Sequence, residues 1–153
     1  QPGQRVLAER DAVALRRQVG AANEAQAEGE FDLKAFTSAH LKWKTRLRDA
    51  IRSGEKFDLD TVRRDDCCAL GQWLHGPGRL RCGQQPLFSN LVSTHASFHQ
   101  EAGRVAEAAN RGDEPRVERL LDVGSGFSQT TQSTVLALKA LDQAIRSGEC
   151  SGR

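Results

Sequence analysis

The chain has 153 residues, with 22 Lys and Arg against 20 Asp and Glu, four His, four Cys, two Trp, six Phe, and neither Tyr nor Met. That is one domain's worth of chain. A net charge of +2 lacks the basic stripe a nucleic-acid binder needs, and no apolar run approaches the roughly 20 residues that cross a bilayer. The opening QPGQRVLAERDAVALRR brings charges before any apolar segment, so it does not read as a secretory signal, and the expected compartment is the cytoplasm. The absent initiator Met leads us to expect a piece of a longer protein.

In chain order, residues 4–28 are Ala-, Glu-, Arg- and Gln-rich with a weak stripe of Val6, Val13 and Val19, which predicts a peripheral helix or linker within a segment 1–30. Asp32 is a plausible N-cap for an amphipathic helix whose stripe runs Phe36, His40, Trp43, Leu47, Ile51 and stops at Ser53-Gly54. A connector with Phe57, Leu59 and Val62 follows. Asp65 or Asp66 is expected to cap a short helix from Cys67 to Leu74, after which GPGRLRCGQQP should break regular structure. The helical period returns through Phe88, Leu91, His95, Phe98, His99, Ala102, Val105 and Ala109. It continues over residues 114–148, where Gly124 and Gly126 predict a break or kink. The hexapeptide AIRSGE closes two helices, at 50–55 and 144–149, and reads as one stop signal used twice. No segment alternates with a period of two. The expected fold is all-α, an antiparallel four-helix bundle with additional short helices over 31–149 and a tail at 150–153.

Four positions carry chemistry. His40 sits in an apolar stripe, where a lone His is most often a satisfied core residue. His95 and His99 are four apart on an apolar face, and side chains at that spacing project together. Cys67-Cys68 opens a helix, whose N-terminus favours the thiolate form. In a chain expected in the cytoplasm, Cys residues read as metal-binding or reactive thiols rather than disulfides. One thiolate with three imidazoles suits tetrahedral Zn²⁺ and would tie three helices at one ion. His75 is expected to be exposed in a turn, and Cys82 in a loop and Cys150 in the tail to be accessible surface thiols. The cations Arg79 and Arg81 read as part of a solvated loop.

CALGQWLHG, from Cys68 to Gly76, resembles the Cys-x-(Leu/Phe)-Gly-x-Trp signature of the chemoreceptor zinc-binding domain, CZB. His40-Leu-Lys-Trp43-Lys is similar to that family's His-x-x-Trp-Lys helix, and His95-Ala-Ser-Phe-His99 to its His-x-x-x-His helix. By motif the resemblance covers about residues 32–110, and it reaches 148 through the last helix. It implies a three-His, one-Cys zinc site at His40, Cys68, His95 and His99, lying between helices. Cys68 is taken over Cys67 because it stands two before Leu70 and five before Trp73. Cys67 is then a neighbour able to compete for metal or to resolve an oxidised Cys68. Gly71 is expected to allow close approach near the ion, and Trp43 and Trp73 to pack.

Four protein ligands leave no open position on tetrahedral zinc, and no HExxH, phosphate loop or nucleophile motif is present, so no enzyme activity is expected. The resemblance implies a sensory domain of bacterial signalling that responds to zinc or to oxidants such as hypochlorous acid. It also implies a homodimer coupled to an output partner of chemoreceptor or diguanylate cyclase type. Two alternatives stand beside it: a metal-dependent enzyme on a His-rich bundle similar to DinB-like proteins, and a purely structural zinc dimerisation module.

Overall fold

The computed structural model describes residues 30–150. Among them are seven helices and no strand: α1 Leu33–Ser53, α2 Leu59–Arg63, α3 Ala69–Leu74, α4 Pro77–Cys82, α5 Pro86–Asn110, α6 Glu114–Leu121 and α7 Gly126–Arg146. The helix expected over residues 4–28 lies outside the described residues.

Local chemistry sets the helix ends. Asp32 caps α1 by accepting from the Ala35 amide at 2.9 Å, and Asp58, Asp113 and Ser125 cap α2, α6 and α7 in the same way. Both AIRSGE copies terminate a helix, with Gly54 at φ 73° and Gly148 at φ 79°, the left-handed conformation that glycine adopts without a Cβ penalty. The last predicted helix is two helices. They break between Leu121 and Gly126, where Gly124 takes φ 83°.

Three expectations are corrected. The connector after α1 contains the helical turn α2, because Asp58 supplies a cap that stabilises five residues. The GPGRLRCGQQP segment does not break all regular structure: Pro77 occupies the first turn of α4, where its missing N–H costs nothing. The short helix expected from Cys67 to Leu74 starts at Ala69, and its cap is Cys68, not Asp65 or Asp66.

The long helices α1, α5 and α7 pack on one another, with α2 and α6 laid against α5. Two apolar clusters result. The first joins Leu47, Ala50, Phe57, Val62, Phe98, Ala102, Val105, Val117, Leu121 and Phe127 from α1, α2, α5, α6, α7 and the connector between α1 and α2. The second joins Phe36, Leu70, Trp73, Leu74, Cys82, Phe88, Leu91, Leu138, Leu141 and Cys150. Each fully buried Leu or Phe stabilises its cluster by about 1.5–3 kcal/mol. Along α1, His40 lies between Phe36 of the second cluster and Leu47 of the first. Along α5, His95 lies between Leu91 and Phe98 in the same sense. The histidines therefore stand at the seam.

Candidate metal centre

Three imidazoles and a thiol meet at that seam. His40, Cys68, His95 and His99 each offer one ligand atom, and these atoms lie within 4.8 Å of one another. His40, His95 and His99 are buried, and Cys68 is half-buried. Cys68 Sγ is 3.2 Å from His95 Nε2 and 3.6 Å from His99 Nε2, and the two Nε2 atoms are 3.0 Å apart. The rings of His95 and His99 stand almost perpendicular, at 85°.

The backbone fixes which nitrogen faces inward. His40 Nδ1–H donates to the Phe36 carbonyl at 2.7 Å, one turn back on α1, and His99 Nδ1–H donates to the Val62 carbonyl of α2 at 2.9 Å. A carbonyl only accepts, so both Nδ1 atoms carry the proton and both Nε2 atoms present lone pairs to the cluster. This is the orientation that outer hydrogen bonds give to metal-ligating imidazoles. His40 Nε2 is buried and has no protein partner. A buried acceptor so placed is destabilising unless something fills the space it faces.

Cys68 is held from its own helix. As the α3 cap, its Sγ accepts from the Gly71 amide at 3.3 Å. Gly71 is required there: a Cβ on it would collide with the backbone carbonyl of Asp65, so the chain entering Cys68 crosses directly over α3. The close approach expected at Gly71 is thus between helix and incoming chain, not between two helices. Trp73 is fully buried in the second cluster, edge-on to Phe31, whereas Trp43 is only half-buried against Phe57. Leu70 is buried beside Trp73.

Electrostatics favour a cation. Burial holds all three imidazoles below their usual pKa, and for His95 burial together with the neighbouring His99 and His40 brings it down to about 2. They are neutral at pH 7, the form that ligates metal. The expectation for Cys68 is corrected. Burial pushes its thiol up and outweighs the amides of Gly71 and Leu70 that pull it down, so the N-terminus of a six-residue helix does not by itself make a thiolate. A cation beside the sulfur would favour loss of the thiol proton.

The donor set fits Zn²⁺. Bonds of about 2.0–2.1 Å to nitrogen and 2.3 Å to sulfur in a tetrahedron put ligand atoms about 3.3–3.6 Å apart, close to the three separations above. Three nitrogens with one sulfur is a borderline-soft set that suits zinc better than calcium or magnesium.

Residues 40–106 match the chemoreceptor zinc-binding domain family, CZB. This segment is similar to that domain. The match begins at the first of the four candidate ligands and includes the other three. No curated protein and no solved structure matches the chain.

Outside the four, His75 is exposed and bonds Asp65 Oδ2 at 3.3 Å, and Cys67 is exposed with its sulfur 3.5 Å from Asp66 Oδ1. A cleft of about 480 Å³ opens beside the candidate ligand cluster, with Trp43, Phe57, Arg64, Cys67, Cys68 and His99 in its wall. Cys82 and Cys150, expected at the surface, are both buried. Both belong to the second apolar cluster, with Leu70, Trp73, Phe88 and Leu141. The Val62 carbonyl is the element the sequence did not reveal, because a backbone acceptor on an unpredicted helical turn leaves no side-chain signature.

Proposed function

We propose that the protein is a zinc-binding sensory domain of bacterial signal transduction. In this reading His40, Cys68, His95 and His99 bind one Zn²⁺ and hold α1, α3 and α5 together. The reading rests on the buried, inward-facing Nε2 of His40, which has no protein partner and lies in reach of three further ligand atoms. The CZB match supports zinc over other metals. A bound Zn²⁺ would stabilise the Cys68 thiolate and fill the tetrahedron with protein atoms alone, leaving no place for a substrate, so the domain is a regulator and not an enzyme. The architecture that goes with this reading is an antiparallel four-helix bundle with α1, α5, α6 and α7 as members.

Two signals fit such a site. Falling zinc would leave the four ligands unsatisfied at the seam between the clusters. Hypochlorous acid entering the cleft beside Cys68 would transfer oxygen to the thiolate and release chloride, and the resulting sulfenic acid is a poorer ligand. Cys67, exposed in the same cleft, is placed to intercept the reagent or the oxidised product. In either case α3, which carries Cys68, is released, and a homodimer passes the change to a cytoplasmic output partner of chemoreceptor or diguanylate cyclase type. The groove of about 1010 Å³ between α1 and α7, with Leu41 exposed on its rim, is a surface of the kind a second copy covers.

Zinc content by elemental analysis, followed through titration with hypochlorous acid, tests this. One zinc per chain, released in step with oxidation of Cys68, is expected. Less than about half an equivalent after metal-replete purification, against the single full site a His₃Cys set makes, contradicts zinc binding. Oxidation with zinc retained contradicts oxidant sensing while leaving the metal site standing.

A further inference from the structure

Cys82 closes α4, and Cys150 closes the turn that follows α7. They are far apart in sequence, yet both belong to the second cluster, at 1% and 2% exposure. The Cys82 thiol lies within hydrogen-bonding reach of Cys150, which raises its pKa. Their backbones are tied as well: Arg81 Nε donates to the Cys150 carbonyl at 3.1 Å, and Gln85 Nε2 to the Glu149 carbonyl at 2.8 Å. Neither thiol belongs to the metal cluster. Either would serve packing as well if it were Ala or Val, but two adjacent sulfurs bring chemistry that neither of those could.

We propose that Cys82 and Cys150 are a dithiol modification site, oxidised by small-molecule disulfides to an intrachain disulfide that fastens the C-terminal turn to α4. Cys150 reacts first. Lifting the turn at residues 147–150 breaks the two side-chain-to-carbonyl bonds named above, the contact between the thiols and the local cap bonds from the Gly148 and Glu149 amides to Ile145 and Ala144, whereas exposing Cys82 requires α4 to leave the core. The Cys150 sulfur, as thiolate, attacks one sulfur of the disulfide, forming a mixed disulfide and expelling one thiolate. When the turn settles back, Cys82 attacks the Cys150 sulfur. The protein S–S bond forms, the mixed S–S bond breaks, and a second thiolate leaves. The two protein protons end on the two released thiols, so the protein dithiol is oxidised and one external disulfide is reduced.

The order of attack agrees with the acidity of Cys82. Burial first, then the hydrogen bond and charge of Cys150, push its thiol up to about 12, which suppresses it as an opening nucleophile. Once Cys150 is a mixed disulfide, its contribution to that shift is gone. The second step is intramolecular and needs no further collision.

The test uses the zinc-loaded full chain, treated with oxidised glutathione and mapped by peptide mass spectrometry. The expected product is a single Cys82–Cys150 cross-linked peptide, two hydrogens lighter than its parts, with zinc content unchanged. Tm should rise by several degrees, because a long loop is closed in the unfolded chain, and dithiothreitol should reverse the rise. Cys150→Ser should give neither the linked peptide nor the rise. A stable glutathione adduct on either residue, a cross-link through Cys67 or Cys68, or a linked protein with unchanged Tm overturns the proposal.

Discussion

The first apolar cluster is centred on the long helix α5: Ala102, Ala106 and Ala109 let it lie close to its neighbours, while Leu47, Val117, Leu121 and Phe127 fill the gaps. The second has α3 and α4, six residues each, at its centre, folded around Trp73. Helices that short are not stable alone. They are held by the Trp73 ring, by the Cys68 cap and by the thiol pair at Cys82 and Cys150. The contrast shows where a signal can act. A ligand set spanning both clusters touches one half that stands on packing and another that leans on its attachments, so loss of the ion should loosen the second half while the first persists.

Metal removal should give the largest effect. Structural zinc sites contribute on the order of 10 kcal/mol of apparent binding free energy at neutral pH. Chelation should therefore lower Tm sharply, and hydrogen exchange should show α3 and α4 losing amide protection while α6 and the C-terminal half of α5 keep it. Uniform loss across both halves would erase the distinction.

Next come the two cores themselves. Trp73→Ala should cost about 3–5 kcal/mol and Leu121→Ala about 2–5 kcal/mol in denaturant melts of the zinc-loaded protein. Only the first should also weaken zinc, because Trp73 supports the helix that Cys68 caps. Equal zinc affinity in the two variants would show the halves to be equivalent.

Gly71→Ala sharpens the comparison further. Its Cβ has no room beneath Asp65, so the cost should be about 1–3 kcal/mol, the range for overpacking. Competition with a chromophoric chelator should show weaker zinc binding than in Gly54→Ala, a variant that strains only a distant helix end. Asp58→Ala, which removes the cap of α2 and with it support for the Val62 carbonyl, should cost about 1 kcal/mol.

The last effect is one of pH and emerges only in alkali. Because the folded state raises the Cys82 thiol, the protein gains stability from it fully below pH 9, the unfolded value, and loses that gain as pH climbs toward 12. At pH 8 iodoacetamide should label Cys67 and spare Cys82 until the second half is opened. Equal labelling of the two would contradict the burial of the thiol pair.

Much of this was legible in the residues. The 3–4 spacing of Phe36, His40, Trp43 and Leu47 gave α1, Ser-Gly after each stripe gave its end and that of α7, and the spacing of His95 and His99 put two imidazoles on one face. The order of the three motifs indicated which four side chains to bring together, and the structure does bring them within reach of one another. What stayed hidden depends on tertiary contact. The short helices α2 and α4 have too few residues for a period to emerge. The burial of Cys82 and Cys150 follows from a turn folding back on α4 across a long stretch of chain. The acidity of Cys68 turned on a contest between burial and helix amides, which only the folded environment decides.

The central claim is a single ion closed by three imidazoles and one thiolate. X-ray absorption at the zinc edge of the metal-loaded protein measures that shell directly. Three nitrogen neighbours at about 2.0–2.1 Å and one sulfur at about 2.3 Å are expected, with the sulfur lost in Cys68→Ser. A shell without sulfur, or one completed by a water oxygen, would contradict it.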